Sequence, residues 1–403
     1  MPKHILVIDD SNDSRLFMRR ALTKAGYQVT ELSSAEDLDS KLCQHSPDLI
    51  ISDIMMPGED GMSVCKRLRT QPAAPPVILV SAKGFESDKH AALEAGAVGY
   101  LTKPFDNSRL VDLVSAALST QTNITIWGCR GSIPTPEHSH GPYGANTSCI
   151  DLVLPGNHHF IFDAGTGIRA LGQSLVPHSP LRASLFLTHY HWDHIQGLPF
   201  FAPLYIPGNE LNIYGPAASG EDLVSIIEGQ MGGAFFPVST SAFLSSVKFY
   251  GLREQECEVQ GITLSTLFML HPGRTLAYRI DLGDRSIVYA PDNEILFESI
   301  SPTLSGEALR LAEFASGASL LLHDCAYSRQ TYEKRRGWGH SCGEALAAVA
   351  AQAKVKRVLL FHHDPDSSDK GVKAVHEEFE TALKATHASI DSEPAREGVS
   401  YPV

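Results

Sequence analysis

A chain of 403 residues is long enough for two or three domains, and 43% hydrophobic residues supply a core for each. A formal net charge of −13 argues against a broad nucleic-acid-binding face, so nucleic acid is not expected as a partner. Seven cysteines with no Cys-x-x-Cys pair fit a reducing cytosol better than a disulfide framework. No signal-peptide pattern opens the chain and no apolar run approaches a membrane span, so a cytoplasmic protein without membrane contact is expected.

Residues 4–118 alternate strand and helix patterns five times. Strands are predicted at His4–Ile8, Tyr27–Leu32, Asp48–Ser52, Pro76–Val80 and Val98–Leu101, with helical patterns between, among them Ser14–Ala25 and Ser108–Leu118. Such alternation implies a parallel sheet covered on both faces, with functional groups gathered at the carboxyl ends of the strands. Those ends carry Asp9, Asp10, Asp53, Ser81 and Lys103. Three neighbouring carboxylates repel unless a cation sits among them, and hard oxygen ligands suit Mg²⁺. A nearby lysine neutralises added phosphate charge, and a small hydroxyl can hydrogen-bond to it.

This set resembles the receiver domain of two-component response regulators, over residues 1–120. Asp53-Ile54-Met55-Met56-Pro57-Gly58 and Lys103-Pro104-Phe105 carry the match; Ser81, where Thr is the alternative, is a variation the family commonly allows. The resemblance implies a flavodoxin-like (βα)5 fold. It makes Asp53 the phospho-acceptor and gives Mg²⁺ the ligands Asp10, Asp53 and the Met55 carbonyl, with Asp9 assisting. Ser81 and Tyr100 become the switch pair, and a sensor histidine kinase or phosphotransfer protein the partner. Receivers often dimerise on phosphorylation, which leaves a homodimer open; no dimer surface is legible. The junction Ser119-Thr120-Gln121-Thr122-Asn123 is short, so the two domains are expected to touch.

Beyond it, the informative string is His189-Tyr190-His191-Trp192-Asp193-His194, which follows the apolar run Ser184–Thr188. Four metal-ligand side chains fall within six residues at a strand end. They cannot wrap one ion, but can feed two: His189 and His191 one, Asp193 and His194 the other. A dinuclear site needs further ligands and a bridge. His271, Asp292 and His362 each close another apolar, strand-like run. Cys325, after Leu320-Leu321-Leu322, reads as a buried thiol rather than a rival ligand.

This series resembles the metallo-β-lactamase fold hydrolases over residues 121–403. Trp127–Pro134, Gly144–Cys149, Gln230–Val238 and Phe361–Pro365 resemble the phosphodiesterase-like branch, which includes phosphoribosyl cyclic phosphodiesterase and relatives of the tRNA 3′ processing nuclease. The resemblance implies an αββα sandwich with metals at one edge. Cys129 and Ala145 stand where relatives often carry Thr and Gly, and Pro291-Asp292-Asn293-Glu294 where they often carry Thr-Asp-Thr-Glu; no ligand is lost. His191 stands where oxygen-reducing members usually have Glu, and Asp292 where the β-lactamases proper lack a bridging Asp, so a bridged hydrolytic site is expected.

Two adjacent divalent ions, zinc first with manganese and iron as alternatives, make hydroxide available near neutral pH and polarise an ester oxygen. Asp193 is expected to orient the nucleophile. His340, in Gly337-Trp338-Gly339-His340-Ser341, is the candidate for protonating the leaving oxygen, with Ser341 as N-cap of the next helix. His363 is expected to support ligands, His138 and His140 to be loop residues, and Phe235-Phe236 to form an aromatic wall or pack into the core. The expected function is a response regulator whose output is a metal-dependent hydrolase of a small phosphodiester, regulated through Asp53. Alternatives are a thioester or lactone hydrolase on the same fold, and a metal-containing signalling or binding module without turnover.

Overall fold

The computed structural model describes residues 2–403 except 70–73, 83–87, 90, 93–94, 119–121, 139–140, 155–157 and 301–302. Most of the junction and His140 therefore lie outside the described residues. The chain divides into two compact units: Met1–Thr122 with the short segments Val153–His158 and Pro207–Asn209, and Asn123–Leu152, His159–Ile206 and Glu210–Val403. Among the described residues no helix is long and apolar enough to cross a membrane.

The first unit has strands β1 (His4–Ile8), β2 (Gln28–Leu32), β3 (Leu49–Asp53), β4 (Val77–Ser81) and β5 (Gly99–Thr102), and helices α1 (Asn12–Lys24), α2 (Leu38–His45), α3 (Gly61–Arg69) and α4 (Asn107–Leu118). The strands pair in parallel in the order β2-β1-β3-β4-β5. Strands β1, β3 and β4 are buried throughout because both faces are covered. One face packs Met18, Leu22, Leu110 and Val114 from α1 and α4; the other packs Leu38, Val64 and Leu68 from α2 and α3. Every strand expected here forms, with ends moved by a residue or so, as terminal pairing depends on neighbours the local pattern does not contain.

The second unit runs β6 (Asn123–Gly128), β7 (Cys149–Leu154), β8 (His158–Phe162), β9 (Arg182–Phe186), β10 (Glu210–Pro216) and β11 (Ser246–Leu252), then β12 (Glu256–Val259), β13 (Ile262–Phe268), β14 (Leu276–Leu282), β15 (Arg285–Ala290), β16 (Leu320–Asp324), β17 (Arg357–Phe361), β18 (Asp391–Pro394) and β19 (Ser400–Pro402). One sheet has the order β11-β10-β9-β8-β7-β6-β19, the other β12-β13-β14-β15-β16-β17-β18. Their inner faces meet through aromatic rings: Phe162 lies 5.5 Å from Tyr278 and 5.7 Å from Tyr289, and Phe186 lies 5.7 Å from Tyr278. Outside the second sheet, α8 (Gly306–Phe314), α10 (Gly343–Ala353) and α11 (Asp369–Ala385) bury Leu311, Leu346 and Phe379; outside the first, α5 (Ile168–Leu175) and α7 (Gly220–Gln230) bury Leu171 and Leu223. The central strands β8, β9, β16 and β17 are therefore covered on both faces, the pattern an αββα sandwich requires.

Arg130, directly after β6, is fully buried. It donates through Nε to Gly144 O at 3.0 Å and through Nη1 to Ser367 O at 3.0 Å, tying the loops on either side of the site. Arg130→Ala strands two carbonyls, each costing about 1–3 kcal/mol. A lower urea midpoint than wild type is the expected outcome; an unchanged midpoint would show that water replaces the guanidinium.

Candidate functional site

The strand ends of the second unit converge on one buried cluster. After β9 the chain turns through His189–His191 into the short helix α6 (Trp192–Ile195), with His191 as its N-cap residue. His271 follows β13, Asp292 follows β15 and His362 follows β17. All seven residues expected as ligands come together. His189, His191, His271 and Asp292 bring ligand atoms within 4.8 Å of one another; so do Asp193, His194 and His362.

Asp292 faces both groups, one oxygen to each. Its Oδ2 lies 3.8 Å from His189 Nε2 and 3.5 Å from His271 Nε2, while Oδ1 lies 3.1 Å from His194 Nε2 and 3.3 Å from His362 Nε2. Asp193 Oδ2 closes the second group, 3.3 Å from His194 Nε2 and 3.2 Å from His362 Nε2. The donor set suits a divalent metal. It is also incomplete without one: His189 Nε2, His194 Nε2 and Asp292 Oδ1 are buried with no hydrogen-bond partner among the described residues.

The electrostatics agree. Burial raises the pKa of Asp292, yet His362, His194 and His189 around it hold it well below the ordinary carboxylate value. Burial opposes charge on His194, but Asp292, Asp193 and Asp163 hold its pKa well above normal. Those carboxylates favour positive charge at that point, which a divalent cation supplies as well as a proton. His189 is pushed down by burial and by His194; His191 and His271 are pushed down chiefly by burial.

A supporting layer fixes the rings. His194 Nδ1 lies 2.8 Å from Asp163 Oδ2, His271 Nδ1 donates to Gly339 O at 2.8 Å, and Ser132 N donates to Asp193 Oδ2 at 2.7 Å. Asp163 is fully buried and also accepts from Thr188 N, Thr188 Oγ1 and Tyr289 Oη. It adopts φ +59°, as Ser132 (+63°) and His362 (+58°) do, so three non-glycine residues at this site hold left-handed backbone. Glycine is required beside them: a Cβ on Gly131 would meet the His362 ring at 2.3 Å, and one on Gly339 would meet His271 Nδ1 at 2.4 Å.

His340 lines a cavity of about 440 Å³ over the cluster, together with Tyr190, His191, Asp193, Asp292 and His362. Its Nδ1 lies 2.6 Å from Asp324 Oδ2, which leaves Nε2 for the cavity. Burial opposes its charge, but Asp324 pushes its pKa up to about 9. His340 also falls within ligand distance of Asp292 and His362. Ser341 is not the N-cap expected of it: the cap position of α10 is Cys342, and Ser341 Oγ donates instead to Asn293 O at 2.6 Å. The hydroxyl serves tertiary structure, which the local pattern cannot register.

Other expectations resolve individually. His363 is buried and its Nε2 lies 2.9 Å from Ala395 O; burial pushes its pKa down to about 3. Cys325 is buried away from the cluster, within the helical side of the core. Cys129, where relatives often carry Thr, keeps a donor's role, its Sγ 3.2 Å from Tyr143 O. His138 ends a short 3-10 turn, Pro136–His138. Phe236 packs on the core against Phe200, whereas Phe235 is exposed. Asp163, Asp324 and Glu294 were missed as functional positions. Asp163 and Asp324 close apolar strands just as His271 does, so the strand-end rule applied to them. Glu294 accepts from Gly337 N at 2.8 Å, Gly339 N at 3.0 Å and Tyr332 Oη at 3.1 Å, pinning the loop before His340, and nothing local in the sequence announces that.

In the first unit Asp9, Asp10 and Asp53 form a further group with metal-ligand spacing. Lys103 Nζ donates to Asp9 Oδ2 at 2.7 Å and to Asp53 Oδ1 at 2.8 Å, and Met55 N donates to Asp53 Oδ2 at 3.1 Å. Burial raises the Asp53 pKa against Lys103. Tyr100 is pushed up by burial, against a hydrogen bond from Ser81.

Residues 158–363 match the beta-lactamase superfamily domain, about half the chain, and residues 5–115 match the response regulator receiver domain. The chain belongs to the beta-lactamase superfamily, with a receiver domain fused ahead of its metallo-β-lactamase fold. A similar solved structure is that of the metallo-β-lactamase fold protein YhfI from Bacillus subtilis, at 20% identity and TM-score 0.52 over 70% of this chain and all of that one; it shows the fold. The alkaline phosphatase synthesis transcriptional regulatory protein PhoP of Bacillus subtilis is 40% identical over 118 residues, 29% of this chain and 49% of PhoP. The transcriptional regulatory protein TcrA of Mycobacterium tuberculosis is 33% identical over 165 residues, 41% of this chain and 58% of TcrA. The chain thus spans about half the length of these curated relatives.

Asp163→Asn keeps a side chain that tolerates φ above zero but removes a carboxylate that accepts from four donors. Zinc affinity, read by competition with a chelator, is expected to fall about 10–100-fold. Unchanged affinity would show that the histidines hold their orientation without it.

Proposed function

We propose that the chain is a response regulator whose output is a dinuclear metal-dependent phosphodiesterase acting on a small diester. The observation that carries it is the Asp292 carboxylate with one oxygen toward each ligand group. His189, His191 and His271 with Asp292 would hold one ion, and Asp193, His194 and His362 with Asp292 the other. Ions bound there supply hydroxide near neutral pH and Lewis acidity toward an ester oxygen. Zinc is the first candidate, manganese and iron the alternatives.

The chain's own contribution is positioning and proton delivery. Ser132 N holds Asp193 in place, and a cavity opens over the cluster. Asp324 engages His340 Nδ1, favours a proton on the ring and leaves Nε2 to protonate the departing alkoxide. A proton donor on this side favours an ester with a basic leaving oxygen over a thioester, whose thiolate leaves unaided. In the receiver, Asp53 would accept the phosphoryl group from a histidine kinase or phosphotransfer partner. Mg²⁺ would sit among Asp9, Asp10, Asp53 and the Met55 carbonyl, with Lys103 countering the added charge. Ser81 and Tyr100 would report that change to the hydrolase.

Hydrolysis of bis(p-nitrophenyl) phosphate by zinc- or manganese-loaded protein tests this, with and without acetyl phosphate and Mg²⁺. Turnover is expected in wild type, loss in His191→Ala, and a response to acetyl phosphate that Asp53→Asn abolishes. Absence of turnover with two metals bound would sink the phosphodiesterase; identical kinetics of treated wild type and Asp53→Asn would sink the regulation.

His340→Ala separates proton delivery from metal binding. The rate is expected to drop about 10²–10⁴-fold on alkyl esters and far less on p-nitrophenyl esters, whose leaving group needs little protonation. An equal drop on both would assign His340 to the metals instead.

A further inference from the structure

A second cavity, of about 330 Å³, opens beside the first and shares Ser132, His340 and His362 with it. Its remaining walls include Tyr327, Arg335, Trp338 and Asp364. Three features distinguish it from ordinary surface. Trp338 is 59% exposed, yet its loop is anchored, since Gly337 N and Gly339 N on either side both donate to buried Glu294. A large apolar ring held on a fixed loop with most of its surface in water is uncommon unless something else covers it. The Arg335 guanidinium carbon lies 5.3 Å from the Tyr327 ring centroid and 5.4 Å from that of Trp338, so planar groups already line this wall. Finally, Tyr327 packs edge-on against His340, 5.7 Å between centroids, which links the wall to the proton donor.

Charge decides what fits. Among the described residues that line this cavity and not the first, Arg335 is the one cation, and it is already paired, through Nη1 with Asp364 at 2.5 Å and through Nη2 with Asp366 at 3.1 Å. One positive group facing two carboxylates offers nothing to a second phosphate. The same cavity offers a polarisable face and an apolar edge to a neutral ring.

We propose that the Tyr327–Arg335–Trp338 cavity is a substrate subsite for a planar, uncharged ring carried by the ester. It rests on the phosphodiesterase reading and narrows the substrate class to a small monoanionic diester with one flat neutral substituent, rather than a polyphosphate or an oligonucleotide. Trp338 is the specificity-determining residue: the ring stacks on its indole while the phosphoryl group reaches the neighbouring cavity over the histidine cluster.

Methyl phenyl phosphate and methyl cyclohexyl phosphate test this directly. They match in charge and size, differ in planarity and have leaving groups too poor for rapid turnover. Their dissociation constants for the metal-loaded full chain would be measured by isothermal titration calorimetry, beside bis(p-nitrophenyl) phosphate hydrolysis on the same preparations. Wild type is expected to prefer the phenyl ester about 10-fold, the size of one stacking contact. Trp338→Ala should abolish the preference and Trp338→Phe should keep most of it. Methyl 4-carboxyphenyl phosphate should bind more weakly than the phenyl ester. Equal affinities in wild type, no binding of either ester, or a preference that survives Trp338→Ala overturns the subsite. A phenyl preference that depends on Trp338, without hydrolysis of bis(p-nitrophenyl) phosphate, overturns the phosphodiesterase and leaves the subsite standing.

Discussion

The second unit is organised around one buried carboxylate. Asp292 is buried among His189, His194, His271 and His362, and its two oxygens face different pairs of rings. Desolvating a carboxylate costs several kcal/mol unless positive charge stands beside it. Here the compensation is distributed over imidazoles from three other strand ends, none of which forms the site alone. The surrounding sandwich follows from that need. Aromatic packing between Phe162, Phe186, Tyr278 and Tyr289 holds the sheets together, and the parallel strands deliver their carboxyl ends to a common edge.

The rings would not stay convergent without an outer layer of acceptors. Asp163 holds His194 and Thr188, the Gly339 carbonyl holds His271, and Asp324 holds His340. Glu294, two residues after Asp292, fastens the loop that carries both Gly339 and Trp338. A single turn after β15 therefore fixes the central carboxylate, one histidine's acceptor and the wall of the neighbouring cavity. The left-handed backbone at Ser132, Asp163 and His362 is the conformational cost of bringing loops this close.

The first unit solves a smaller version of the same electrostatic problem. Three carboxylates at strand ends are held by Lys103, which reaches both Asp9 and Asp53. A phosphoryl group on Asp53 would replace the single carboxylate charge by about two, and Lys103 and the Ser81 hydroxyl are the groups placed to answer it. Each unit thus concentrates charge at the carboxyl ends of strands, where the backbone is already paired.

The clustering of the seven histidine and aspartate positions and of the receiver carboxylates was legible in the sequence because they fall at or just past the end of an apolar run, and a strand end is a local feature. Strand periodicity likewise determined the five parallel strands of the first unit to within a residue or so. Asp163 and Asp324 obeyed the same rule but carry no unusual residue type, so only their burial beside a histidine reveals their role. What the tertiary structure alone decided is pairing at long range: which oxygen of Asp292 meets which ring, why Ser341 bonds to Asn293 rather than capping a helix, and why Trp338 stands exposed beside Arg335. The contacts of Asp292 and Ser341 join residues tens of positions apart, and the Trp338 loop is pinned by the equally distant Glu294. Their energies depend on desolvation and distance in three dimensions, and neither quantity is written in the order of residues along the chain.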